Sequence, residues 1–295
     1  MATRSNTFDG EVIAPHAVSS RRNIAADSMR VFVINLARRQ DRLAAMAAQL
    51  DRLGLAAERI AAIDADRIRD GWLAPFFAKG GPLGRIPKGD QCCSLSHRRA
   101  WIAFLATGES HAAVLEDDVV LDGAAAALLG DASWIPQGVE VVKLEHFGPE
   151  GQRVLVGAPT AVAPDHTIAP ILSRHAGAGA YVLSRAAAIR LLKVEQWNVP
   201  VDHIIFNPNV SPVAEELRPF QLLPAVARQK GGASDIRRWR LADRRLSLKL
   251  MRREIIRAYY ECRLLPRQLA AILAGEAHLA RVAGQPSSTG LLNRV

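Results

Sequence analysis

The sequence predicts an α/β fold in which strands covered on both faces alternate with helices through one large domain. Short apolar runs recur at Val31-Phe32-Val33-Ile34-Asn35-Leu36, Arg59–Asp64, Ala112–Glu116, Val139–Leu144 and Gly179–Leu183. Helical stripes stand between several of them, and periods of about 3.6 and 2 separate helix from strand. The first strand, the helix after it and the second strand take up 34 residues, Val31 to Asp64. That length suits a βαβ unit with a parallel pair and a right-handed crossover.

In chain order, the run at 31–36 is continuous rather than alternating, as expected of a strand buried on both sides. Leu43, Met46, Leu50 and Leu53 form one helical stripe, and Gly54 supplies its stop. Residues 71–90 hold five glycines and three prolines, which predicts a long loop able to close over a ligand. A helix is expected over Ser94–Thr107, then a strand running straight into Glu116-Asp117-Asp118. Ser184 is placed to cap a helix carrying Ile189, Leu191 and Leu192. The expected organisation is a disordered extension over 1–29, a folded domain over 30–230, and a basic helical segment over 231–295.

The first thirty residues are mixed and polar, without the apolar centre of a secretory signal. No run approaches the roughly 20 apolar residues of a membrane-spanning helix. A cytoplasmic protein is therefore expected. Cys92, Cys93 and Cys262 give neither a disulfide framework nor a zinc spacing.

The net charge of +9 points to an anionic partner, and its location narrows the choice. Between Asp235 and Arg267 there are eleven basic residues against four acidic ones. Leu241, Leu248, Met251, Ile255 and Tyr259 recur there at helical spacing, so the segment reads as a basic amphipathic helix or helix pair. Such a helix can lie on an anionic membrane surface at the inner face of the inner membrane, or pack on the folded domain. Aromatic residues are only 5% of the chain, few for base stacking, and no nucleic-acid partner is expected.

The acidic cluster is the strongest chemical signal. Continued strand alternation would point Glu116 and Asp118 to one face and Asp117 to the other. Two carboxylates on one face repel unless a cation lies between them, and oxygen ligands with few from protein suit Mn²⁺ or Mg²⁺. A solvated acidic turn is the plain alternative. The first βα turn has no glycine fingerprint but offers Arg38, Arg39 and Arg42, which can pair with phosphate, while Asp64 can accept from ribose. Unassisted, these residues also fit a solvated helix start and a turn. His97 fits a core or capping histidine as well as a pocket wall, and Asp202 fits a helix cap as well as a general base.

An ordered set of these pieces resembles glycosyltransferase family 25, which includes bacterial lipooligosaccharide and collagen galactosyltransferases. The set is Val33-Ile34-Asn35-Leu36 with Arg38-Arg39 and Asp41-Arg42, Ala62-Ile63-Asp64, Cys93-x-Leu95-Ser96-His97 with Trp101, Leu115-Glu116-Asp117-Asp118, Ala180-Tyr181-Val182-Leu183-Ser184, and Pro200-Val201-Asp202. The resemblance implies a GT-A fold with a mainly parallel sheet, a UDP-sugar donor (UDP-galactose most often), Mn²⁺ or Mg²⁺, and inversion at the anomeric carbon. It implies Glu116 and Asp118 as the metal pair and Asn35, Arg38, Arg42, Asp64, Ser96, His97 and Asp117 at the nucleotide-sugar. Asp202 becomes the base, and the acceptor a cell-surface glycan or glycolipid such as lipopolysaccharide. A nucleotidyl- or phosphotransferase on the same sheet is the alternative, although no phosphate-binding glycine loop supports it.

Overall fold

The structure is a computed structural model and describes residues 17–18, 29–69, 71–146, 148, 151–230 and 248–284. The expected extension over 1–29 falls almost wholly outside the described residues. From it only β1 (Ala17–Val18) and Met29 are seen.

The βαβ unit is present. β2 (Arg30–Asn35) leads through α1 (Gln40–Arg52) to β3 (Ala57–Ala61), which pairs with β2 in parallel. β4 (His111–Glu116) pairs in parallel on the other side of β2. Alternate residues of β2 serve two cores. Phe32 and Ile34 join the cluster that holds Trp101, Phe104 and Leu191, whereas Val31 and Val33 join the one that holds Met46, Leu50 and Leu128. The continuous apolar run is therefore explained by a sheet covered on both faces.

The helix after β3 is longer than the sequence predicts. α2 spans Lys88–Leu105, beginning six residues before Ser94. Pro87 precedes its first turn and Asp90 lies within that turn, a favoured place for a negative charge. Ser94 and Ser96 donate to the carbonyls of Asp90 and Cys92 one turn back, so their hydroxyls can be buried. The segment over 71–90 is not a free cover. Leu73, Phe77 and Ile86 are core residues, and backbone hydrogen bonds tie Phe76 and Ala78 to Trp197.

The remaining elements correct the expectation of a mainly parallel sheet. They are β5 (Val119–Leu121), α3 (Ala125–Gly130), β6 (Val141–Lys143), β7 (Glu145–His146), β8 (Gln152–Gly157), β9 (Thr160–Ala163), β10 (His166–Pro170) and β11 (Ala180–Ser184). Then follow α4 (Arg185–Leu192), α5 (Val201–Phe206), α6 (Pro212–Leu217), β12 (Phe220–Leu223) and β13 (Ala227–Gln229). The large sheet runs β1-β3-β2-β4-β11-β6-β12-β10-β9. Three of its pairings are parallel and five antiparallel. β11 runs backwards between β4 and β6, and β9–β10 form a hairpin, neither of which needs a helical crossover. Ser184 caps α4 as expected, its hydroxyl accepting from Ala187 N.

A smaller sheet, β5-β13-β7, lies at the end of β4. It sets Asp118, just before β5, near Glu145, which opens β7.

Among its described residues the C-terminal segment contains two helices, and one strand that the sequence does not announce. α7 (Leu248–Arg263) and α8 (Leu265–Leu273) lead to β14 (Ala277–Val282), which pairs with β8 along its whole length. Arg263 donates to Pro208 O and Gln268 to Leu172 O, docking the segment on the rest of the protein. Ile255 and Tyr259 are nonetheless 65% and 68% exposed. Leu241 lies outside the described residues, as do the side chains of Leu248 and Met251.

Candidate active site at the end of strand β4

β4 ends at Glu116, and a turn follows. Strand alternation therefore stops there, and Asp117 and Asp118 do not point to opposite faces. Arg42 Nη1 reaches both, 3.2 Å from Asp117 Oδ1 and 3.3 Å from Asp118 Oδ2. Arg42, expected at the nucleotide, sits on the acids themselves.

Each carboxylate has its own setting. Asp117 accepts from Asn35 Nδ2 at 2.6 Å; burial pushes its carboxyl up, only partly offset by Asn35 and Arg42. Asn35 is itself fixed by Arg59, which donates to its Oδ1 at 3.0 Å, and by its own bond to Arg39 O. Glu116 Oε1 lies 3.2 Å from His97 Nε2 and 3.5 Å from Cys93 Sγ. Burial would raise the Glu116 carboxyl, but His97 and the Cys93 thiol outweigh it and hold it below the usual value. Asp118 is pushed up to about 7, by burial first and then by the charges of Glu116, Asp117 and Glu145 against the single pull of Arg42. Its Oδ1 is buried and makes no hydrogen bond among the described residues.

Around this cluster stand groups that sequence reasoning missed. Lys143 and Glu145 are both fully buried and paired at 2.8 Å. Lys143 also donates to Gly177 O, and Gly179 N donates to Glu145 Oε1 at 2.8 Å. Lys143 ends β6 and Glu145 opens β7, and two charged residues so close to an apolar run were the available signal. Asp202 accepts from Gly177 N at 3.2 Å and from its neighbour His203 N at 2.9 Å. Burial raises the Asp202 carboxyl, but His203, the Gly177 amide and Lys143 outweigh it, leaving it below the usual range and ionised at neutral pH.

Other expected ligand residues are occupied by protein partners. Arg38 and Asp64 pair with each other at 3.2 Å. Ser96 Oγ accepts from Ile63 N at 2.8 Å, clamping α2 to the segment after β3. Asn35, Ser96 and His97 are at most 1% exposed, so in this arrangement they orient neighbours rather than form a pocket wall.

The oxygens at hand suit a divalent cation. An unpartnered buried carboxylate oxygen, and a carboxyl lifted by burial and then by three like charges, describe a site that a cation would relieve, with the hard donors that Mn²⁺ and Mg²⁺ prefer. Cys93, His97 and Glu116 also bring three potential ligand atoms within 4.8 Å of one another.

Residues 29–205 match the family model described as glycosyltransferase family 25 (LPS biosynthesis protein). The chain belongs to glycosyltransferase family 25. The match contains the acid cluster, His97, Tyr181 and Asp202. Among relatives, a Bos taurus protein named probable inactive glycosyltransferase 25 family member 3 is 28% identical over 193 residues, 59% of this chain and 31% of that one. Family members from Aedes aegypti and Drosophila pseudoobscura pseudoobscura are 28% and 27% identical, over 61% and 59% of this chain and 32% and 29% of their own. The family 25 chain described here thus spans about a third of the relatives it matches. A glycosyltransferase involved in the glycosylation of the major capsid of PBCV-1 overlaps 72% of this chain and 98% of its own, with 10% identity and a TM-score of 0.36. At that score the overlap carries no inference about fold or activity.

Proposed function

We propose that this family 25 protein transfers a hexose, galactose above others, from a UDP-sugar to a glycan acceptor of the lipopolysaccharide type, with inversion and with Mn²⁺ or Mg²⁺. A GT-A arrangement of donor and metal belongs to the same proposal. The observation that carries it is the strand-end cluster of Glu116, Asp117 and Asp118, with Asp118 lifted to about 7 and its Oδ1 unpartnered.

Asp118 through Oδ1, and Glu116 through Oε2, which makes no hydrogen bond among the described residues, are the groups to hold the cation. When bound, a cation there would supply charge to offset that of the diphosphate leaving group. The chain's own residues do the rest. Arg42 keeps Asp117 and Asp118 turned inward, and Asn35 and Arg59 brace Asp117 from behind. Asp202 is ionised and held by two backbone N–H groups, so it can take the proton of the acceptor hydroxyl. The acceptor oxygen bonds to the sugar C1 from one face while the C1–O bond to UDP breaks on the other, and UDP leaves with the electron pair.

An acceptor made at a membrane surface fits the C-terminal segment. Ile255 and Tyr259 lie exposed on α7, within the basic stretch that ends at Arg267, and Leu269 and Leu273 lie exposed on α8 just beyond it. An apolar stripe flanked by basic groups suits an anionic lipid surface. No helix among the described residues is long and apolar enough to cross a membrane.

Thermal unfolding with a panel of UDP-sugars, each with and without Mn²⁺, tests the donor. UDP-galactose with Mn²⁺ is expected to raise Tm most. Equal shifts with ATP and with UDP-sugars would favour a nucleotidyl- or phosphotransferase instead, and no shift with any of them would fit a member without activity.

A further inference from the structure

Behind Glu116 runs a line of buried polar groups that the proposed chemistry does not use. Trp101 Nε1 lies 2.8 Å from Tyr181 Oη, Tyr181 Oη lies 3.0 Å from His97 Nδ1, and His97 Nε2 lies 3.2 Å from Glu116 Oε1. Trp101, Tyr181 and His97 are each 0% exposed, out of reach of bulk solvent. Residues from α2, β11 and β4 meet here, and the His97 and Tyr181 rings stack at 5.7 Å.

The direction of the line follows from what each group can do. An indole N–H donates and never accepts, so the Tyr181 oxygen is the acceptor for Trp101. The Tyr181 hydroxyl hydrogen then has one nearby acceptor, His97 Nδ1. That bond places the ring proton on Nε2, aimed at Glu116 Oε1. The reverse tautomer, with hydrogen on Nδ1, would leave the Tyr181 hydrogen buried without an acceptor and face a lone pair on Nε2 towards a carboxylate. One tautomer satisfies every member; the other leaves two groups unsatisfied.

We propose that His97 is a positioning residue for the acid cluster, its tautomer set by Trp101 and Tyr181 and its Nε2–H fixing Glu116 by Oε1. Glu116 then meets its ligand through Oε2 alone, and the carboxylate cannot rotate to spend both oxygens on one partner. The nature of that ligand rests on the proposed function; the relay itself does not. Cys93, one helical turn before His97 on α2, adds its S–H to the same oxygen at 3.5 Å and so reinforces the orientation.

The relay is read directly by NMR of the intact protein labelled with ¹⁵N in its histidine rings. The His97 ring is expected to show a pyridine-type Nδ1 and a pyrrole-type Nε2, and Tyr181→Phe is expected to abolish that single-tautomer signature while the protein stays folded. The consequence is read by EPR titration of free Mn²⁺ against protein saturated with UDP. His97→Leu should weaken Mn²⁺ binding by about 10- to 100-fold, the usual scale for a lost supporting partner. His97→Gln, whose side-chain amide nitrogen can stand in for Nε2–H, should recover most of that loss. A residue serving only to fill space would be replaced as well by Leu as by Gln. Pyrrole-type Nδ1 in the wild type would overturn the proposal, as would tight Zn²⁺ binding through Cys93 and His97 Nε2, since the Nε2 proton would then be absent. Wild-type Mn²⁺ affinity in His97→Leu would overturn it too. Failure of the wild type to bind Mn²⁺ with UDP would instead count against the donor and metal, and the ring assignment would still decide the relay.

Discussion

Arg42 and Asp118 meet through one oxygen only: Arg42 Nη1 stands 3.3 Å from Asp118 Oδ2, while Oδ1 is buried without a partner among the described residues. One guanidinium shared between Asp117 and Asp118 does not balance the charges gathered at the end of β4. Burial first, and that imbalance after it, lifts the carboxyl of Asp118 to about 7.

That rise fixes a sign for the pH dependence of stability. Asp118 keeps its proton longer in the folded state than in the unfolded chain. Its contribution is therefore fully present below the ordinary carboxylate value and lost as pH climbs through about 7. Three units at 1.36 kcal/mol each set an upper bound of about 4 kcal/mol. The metal-free protein should lose Tm between pH 4 and pH 8, and Asp118→Asn should flatten that decline. A wild type and an Asp118→Asn variant with parallel Tm-against-pH curves would show that the charge is balanced by other means.

Asp202 gives a kinetic prediction. Asp202→Asn keeps the shape and loses the ability to take a proton, so turnover should fall by about 10² or more with donor affinity little changed. The check is kcat from single-turnover and steady-state assays, alongside donor binding by calorimetry. A collapse of donor affinity would make Asp202 a donor ligand instead.

Gly179 packs directly against the Glu145 carboxylate. A Cβ there would stand 2.7 Å from Glu145 Oε2 and 2.9 Å from Gln229 Nε2, both in confined surroundings. Gly179→Ala should cost about 1–3 kcal/mol, the scale of overpacking, and displace Glu145. Gly108→Ala, with nothing within 4 Å of its Cβ, serves as the control and should leave Tm nearly unchanged.

The C-terminal surface is testable without truncation, which would remove β14 from its pairing with β8. Ile255→Asp combined with Tyr259→Asp alters only exposed positions. Wild type should pellet with anionic vesicles at low salt and release at high salt, and the double variant should stay in the supernatant. Equal pelleting of both would mean that α7 is not the membrane-facing element.

Much of the domain could be read along the chain because its signals are local. The apolar run at 31–36, the stripe of Leu43, Met46 and Leu50, and the Ser184 cap each declare an element within a few residues. The antiparallel half could not be read so easily. β9 and β10 are four and five residues long, β10 ends in Pro170, and β14 pairs with a strand more than a hundred residues earlier. The site divides in the same way. Glu116, Asp117 and Asp118 announce themselves by following an apolar strand, but strand alternation misled about their directions because β4 ends at Glu116. His97 and Tyr181 are 84 residues apart and meet only because α2 packs over β11. Sequence spacing holds no record of that meeting.

The central claim is that the acids at the end of β4 hold a cation for transfer from a UDP-sugar. The most direct measurement is release of UDP from UDP-galactose by the wild type and by Asp118→Asn, each with Mn²⁺ and with excess EDTA. The predicted result is UDP release by the wild type with Mn²⁺, abolished by EDTA and by Asp118→Asn in a protein that remains folded. Full activity of Asp118→Asn, or undiminished wild-type activity in EDTA, would contradict it.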